Sequence, residues 1–131
     1  MFIINNRLAL LSLKLMRFLG MQNFCISDTP GAPRNVRVKD YWSDSITITW
    51  EAPEHDGGSP ITGYLIEQRD ALYPKWAKAA SLEADVFHYK AGNLLEGTDY
   101  MFQVFAVNKL GPGTEAGQLE RPCKAKMPFG T

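Results

Sequence analysis

The sequence predicts an all-β chain, a seven-stranded antiparallel β-sandwich beginning near Asp28, and three features carry that prediction. From Asp28 onward apolar and polar residues alternate in short runs, the period of half-buried strands and not of helices. Clusters of glycine and proline separate the runs, and such clusters interrupt a hydrogen-bonded ladder. About seven runs fit into roughly 100 residues, which suits two packed antiparallel sheets and leaves no room for the crossovers of a parallel one.

Each strand has its own justification. Pro30-Gly31-Ala32-Pro33 opens the domain, and the first strand points Val36 and Val38 inward with Arg34, Arg37 and Lys39 toward solvent, as suits a sheet edge. In the second, Ile46, Ile48 and Trp50 alternate with Thr47, Thr49 and Glu51, residue types that fit a pleated surface, and Trp50 is placed inside. Pro53 to Pro60 must be a loop. The third strand sets Tyr64 and Ile66 on one side and Leu65, Glu67 and Arg69 on the other, with a bend or close approach at Gly63. A turn around Leu72-Tyr73-Pro74 leads to Trp76 on a short fourth strand. Phe87, Tyr89 and Ala91 then alternate with His88 and Lys90, and Leu94 closes the core before a turn at Glu96-Gly97. The longest strand follows, with Tyr100, Phe102, Val104 and Ala106 inward and Met101, Gln103, Phe105 and Val107 outward. Gly111-Pro112-Gly113 turns the chain into a last strand over residues 118–126.

A chain of 131 residues accommodates one such domain and not two. It has 14 basic and 14 acidic residues, so no global field steers it to nucleic acid or an anionic membrane. The neutrality conceals a division: residues 1–27 hold Arg7, Lys14 and Arg17 with no acid, and the remainder is correspondingly acidic. This leader reads either as a disordered segment or as a weak amphipathic helix, with Leu8, Leu11, Leu15, Phe18 and Leu19 on one side and the bases on another. Lys14 and Arg17 cut the apolar run short, which makes it a poor secretory signal and too short to span a bilayer. It is open whether the leader targets, docks or is a non-native start, with Met21 as a second initiation point. Two cysteines, Cys25 and Cys123, are too few for a disulfide scaffold and point to a reducing compartment.

In combination these strands resemble a fibronectin type III domain, a member of the immunoglobulin-like class of folds. Trp50 after Ile46 and Ile48, Ile61-Thr62-Gly63-Tyr64, Leu94-Leu95-Glu96-Gly97-Thr98-Asp99-Tyr100 and the run to Asn108 carry the resemblance over residues 30–126. It implies a structural core containing Trp50, Tyr64, Leu94, Tyr100, Phe102 and Val104, and makes Tyr100 a corner residue whose hydroxyl bonds back to the preceding turn. More narrowly, residues 53–64 with Glu67 and Arg69-Asp70 are similar to the modules of titin- and twitchin-like giant muscle proteins. Residues 127–131 look like a linker stub between such modules, so the domain is set at 28–126 and a fragment or truncated isoform is expected.

No catalytic constellation can be assembled. A nucleophile with its base, a metal-ligand spacing or a phosphate loop is required for chemistry. His55 falls in a loop and His88 on an outward strand position, while Gly57-Gly58-Ser59 lacks the Lys-Ser/Thr pair of a phosphate loop and precedes a strand. No protein-kinase signature is present. No enzyme activity, cofactor, metal, nucleic acid, small-molecule or membrane partner is expected. The adhesive Arg-Gly-Asp is missing from the loop after the long strand, and Arg69-Asp70 lacks the glycine and reads as a surface pair. One surface invites a partner: by alternation Leu65, Met101, Phe105 and Val107 face away from the core on strands that neighbour each other in the family's fold. The resemblance therefore implies a non-catalytic module of a sarcomeric protein, a cytoplasmic spacer and docking surface on muscle filaments. Its partners would be neighbouring immunoglobulin-like or fibronectin type III modules or the myosin filament. The alternative is an extracellular adhesion or receptor module.

Overall fold

The computed structural model describes residues 27–128, and the expectations placed on residues 1–26 and 129–131 lie outside the described residues. Among the described residues nine strands follow one another: β1 (Arg34–Tyr41), β2 (Ile46–Glu51), β3 (Gly63–Asp70), β4 (Ala77–Glu83), β5 (His88–Ala91), β6 (Asp99–Asn108), β7 (Gly111–Pro112), β8 (Gly117–Gln118) and β9 (Cys123–Lys124). They form two antiparallel sheets, one ordered β1-β2-β5 and the other β4-β3-β6 with β7, β8 and β9 along the far side of β6. The first strand lies at a sheet edge, as its alternation of valines and bases predicts.

The core lies between the sheets. Ile46, Ile48 and Trp50 from β2 meet Tyr64 and Ile66 from β3, Ala91 from β5 and Phe102, Val104 and Ala106 from β6, all buried. Trp50 and Tyr64 stack with tilted rings 5.6 Å apart, and Tyr64 continues to Phe87 at 5.7 Å. Aromatic pairs in this arrangement add about 0.5–1.5 kcal/mol beyond the area they bury. The Trp50 indole N–H has no hydrogen-bond acceptor among the described residues, so Trp50 is held by packing. Leu94 closes the bottom of the core, and Tyr100, partly buried, packs against it. The Leu95 N–H donates to the Tyr100 hydroxyl at 2.9 Å, the backward bond expected of a corner residue.

Several elements depart from the sequence reading. Trp76 stands just before β4, not on it, and β4 is a seven-residue strand whose Ala-Lys-Ala-Ala-Ser-Leu-Glu run alternates too weakly to be seen. Phe87 precedes β5 and is 40% exposed, with only its ring leaning on Tyr64. The last strand is three two-residue pieces. Pro122 lacks the N–H a continuous ladder needs, and the bend at Thr114-Glu115 turns the chain away between β7 and β8.

The lead-in to β1 is bolted down. The Asp28 N–H donates to the Gly57 carbonyl at 2.7 Å and the Gly31 N–H to that of His55 at 3.0 Å. From the end of β6 the buried Asn108 side-chain amide donates to the Asp28 carbonyl at 2.6 Å and the Asp56 carbonyl at 2.8 Å. A Cβ on Gly57 would collide with the Asp28 carbonyl oxygen, and one on Gly113 with that of Pro30, so both positions require glycine for the approach. At the opposite pole Ala125 exchanges backbone bonds with Gly97 and Thr98, just before β6 begins.

Candidate protein-interaction surface

The outer face of the larger sheet is set by the β3–β6 ladder. Side chains directly opposite each other in an antiparallel pair share a face, with Cβ atoms about 4.5–5.5 Å apart. The register places Leu65 opposite Phe105, Gly63 opposite Val107, Glu67 opposite Gln103 and Arg69 opposite Met101. The predicted quartet Leu65, Met101, Phe105 and Val107 thus falls on one face, with the Leu65–Phe105 row at its centre.

The four do not make one accessible patch. Leu65, Phe105 and Val107 are half-buried, whereas Met101 is only 9% exposed and belongs with the core residues. The expectation that Met101 presents an open apolar surface is therefore corrected. Opposite it in the ladder stands Arg69, which is itself tied down. The Arg69 guanidinium lies 4.9 Å from the centre of the Trp76 ring and donates to the Ala71 and Tyr73 carbonyls at 3.2 and 3.0 Å. This stacked, hydrogen-bonded arginine braces the turn that follows β3. Arg69 is a structural clamp more than half of a surface pair.

Between the apolar row and this clamp runs a polar chain that alternation alone does not reveal. The Gln118 amide donates to the Gln103 side-chain oxygen at 3.1 Å, and the Gln103 amide donates to the Glu67 carboxylate at 2.6 Å. Gln103 is buried, so these bonds satisfy a polar group that would otherwise cost about 1–3 kcal/mol. A glutamine amid the apolar residues of β6 was the available signal. On the far side of β3, Ser81 stands opposite Leu65 and Lys78 opposite Glu67. The face is thus a small apolar centre framed by polar groups, an arrangement typical of the contact patches through which folded domains dock.

Chemistry finds little to work with. His55 and His88 are both exposed, and among the described residues no cluster of three or more histidine, cysteine or acidic side chains is placed to hold a metal ion. Burial, reinforced by the nearby Asp99 carboxylate and opposed by Lys126, pushes the Cys123 thiol above its ordinary pKa, the reverse of an activated nucleophile. No helix among the described residues is long and apolar enough to cross a membrane.

The fibronectin type III domain model matches residues 31–121. Titin of Drosophila melanogaster is 42% identical over 87 residues, covering 66% of this chain and, to the nearest per cent, 0% of titin. Cardiac-type myosin-binding protein C of Homo sapiens is 32% identical over 104 residues, 79% of this chain and 8% of that protein. A crystal structure of domains from titin superposes with a TM-score of 0.71 at 35% identity, covering 76% of this chain and 33% of the other. The chain thus spans less than a tenth of the length of these curated relatives.

Proposed function

The chain belongs to the fibronectin type III domain family, and we propose that it works as a non-catalytic spacer and docking module within a muscle filament protein, in the cytoplasmic sarcomere. The similarity to titin and myosin-binding protein C supports a muscle structural module. The observation that carries the spacer role is the placement of its two ends. Asp28 is bonded to Asn108 at one end of β6, and Ala125 is bonded to Thr98 beside the other. Ten residues of strand separate them, about 30 Å at roughly 3.4 Å per residue. Chain entering at one pole and leaving at the other is what a tandem array requires. The domain is taken as residues 28–126, preceded by a leader over residues 1–27 and followed by a linker stub over residues 127–131.

Stretching the protein by its ends tests the spacer role. One cooperative rupture is expected, because the core binds both sheets; gradual extension at low force would refute it. The docking role is assigned to the Leu65–Phe105 row with Val107, its partners being an adjacent module or the myosin filament. Cosedimentation with myosin filaments, comparing the native protein with Phe105→Glu, tests the filament partner. The variant should lose binding while its melting temperature stays within about 4 °C of the parent, the shift that a surface-type change of about 0.5 kcal/mol gives a domain of this size, since Phe105 is only half-buried. Equal binding by both proteins would remove the face from consideration.

A further inference from the structure

The sandwich has a second surface on its opposite flank, where β1 and β9 leave the two sheets open between them. Residues 36–41 line one wall of this groove in unbroken succession and residues 119–124 the other. Successive strand residues point to opposite faces, so a groove touched by every residue of a run faces the run's hydrogen-bonding edge. Topology agrees: β2 is the sheet neighbour of β1, and β9 pairs with β6, which leaves the groove-side edge of each without a strand partner among the described residues.

The groove has an apolar floor and a basic rim. Val38 and Cys123 are half-buried and Leu119 is buried beneath it. Arg37, Lys39, Arg121 and Lys126 are exposed and have no ion pair among the described residues, against Asp40 and Glu120. Lys124 and Asp99, 3.4 Å apart, cancel each other. We infer that this groove receives a short, extended acidic segment of a partner protein, which adds a strand to the β1 edge and alternates carboxylates toward the rim with apolar side chains toward the floor.

The β1 edge carries devices that normally forbid strand addition, namely Lys39 and irregular register on either side of Val38. These exclude neutral and basic strands, and they exclude a second copy, whose own Arg37 and Lys39 would meet their counterparts. An acidic strand converts the same lysine from a barrier into a contact. The groove thereby selects by charge what it would otherwise reject.

The test uses the full chain and fluorescent peptides of about eight residues. One alternates Glu with Val, a second replaces each Glu by Lys, and a third keeps the Glu-Val sequence with alternate amides N-methylated. Saturable binding of the first peptide alone is expected, weakened about tenfold in K39E/R121E and by less in K39Q/R121Q, with melting unchanged in both. Both positions are exposed, so the fold should tolerate them. Failure of the Glu-Val peptide to bind, equal binding of the Lys or N-methylated peptide, or indifference to both variants would overturn the inference. Self-association of the free chain abolished by K39E would overturn it too, by giving the edge to a second copy.

Discussion

The two sides of β6 hold the same strand in different ways. On one side β3 runs beside it without interruption from Gly63 opposite Val107 to Asp70 opposite Tyr100. On the other, the chain touches it in three two-residue pieces, β7, β8 and β9, with loops between them. The unbroken side rests on alternation: the inward Tyr64 and Ile66 of β3 stand opposite Ala106 and Val104 of β6, all four buried, and backbone pairing follows from side-chain burial. The broken side rests on local chemistry, in which proline removes donors and glycine turns the chain, so fixed points such as the Gly97–Ala125 bond substitute for a ladder. Cohesion within one sheet is therefore unequal, concentrated toward β3 and sparse toward the C-terminus.

Mutations should rank accordingly. Truncating Phe102, fully buried at the centre of the strong side, is expected to cost about 3–5 kcal/mol by denaturant unfolding. Tyr100→Phe, at the junction of the two regions, removes the hydroxyl that accepts from Leu95 and should cost about 1–3 kcal/mol. A melting curve identical to the parent would dissolve the corner's role. On the weak side, Lys124→Ala severs a half-exposed pair with Asp99 and a bond to the Gly97 carbonyl, and should cost less than about 1 kcal/mol. If that loss rivalled Phe102→Ala, the contrast between the sides would be false.

The smallest expected effect is on pH dependence. Because the Cys123 thiol is raised by burial, the unfolded chain releases that proton first, and stability is complete below an unfolded pKa of about 8.5. It then falls as pH climbs toward the folded value. Tyr64, raised by burial in the core, adds the same sign above about pH 10. Unfolding followed between pH 7 and 10 should show a shallow decline that Cys123→Ala flattens. A rise in stability over that range would contradict the thiol's burial.

The strong side and the facing strand β2 were the legible parts. Ile46, Ile48 and Trp50, then Tyr64 and Ile66, then Phe102, Val104 and Ala106 alternate with period two, and each is buried as that period dictates. Alternation assigns a face but not what lies over it, which is why Met101 reads as outward and open yet is buried, opposite an Arg69 that is stacked on Trp76. Nor does it register a strand of small residues such as β4, or a ladder interrupted by loops such as β7 to β9. The lead-in clamp was missed for a different reason. Gly57, Gly113 and Asn108 look like ordinary turn residues, and only the three-dimensional approach of Asp28 and Pro30 shows what their shape and amide are for.

That clamp sets where the molecule pivots. Six residues, 28–33, precede β1, and a free strand of that length would reach about 20 Å. Fastened by Asn108, Gly57 and His55, it has no such reach. Any pull from upstream therefore meets the domain at Ser27 and Asp28, at its pole, and not at Arg34. A pull from that direction loads the Asn108 amide and the Gly57 carbonyl before it reaches β1. The slack of the lead-in has been taken up within the fold, where one amide side chain and two carbonyls hold it.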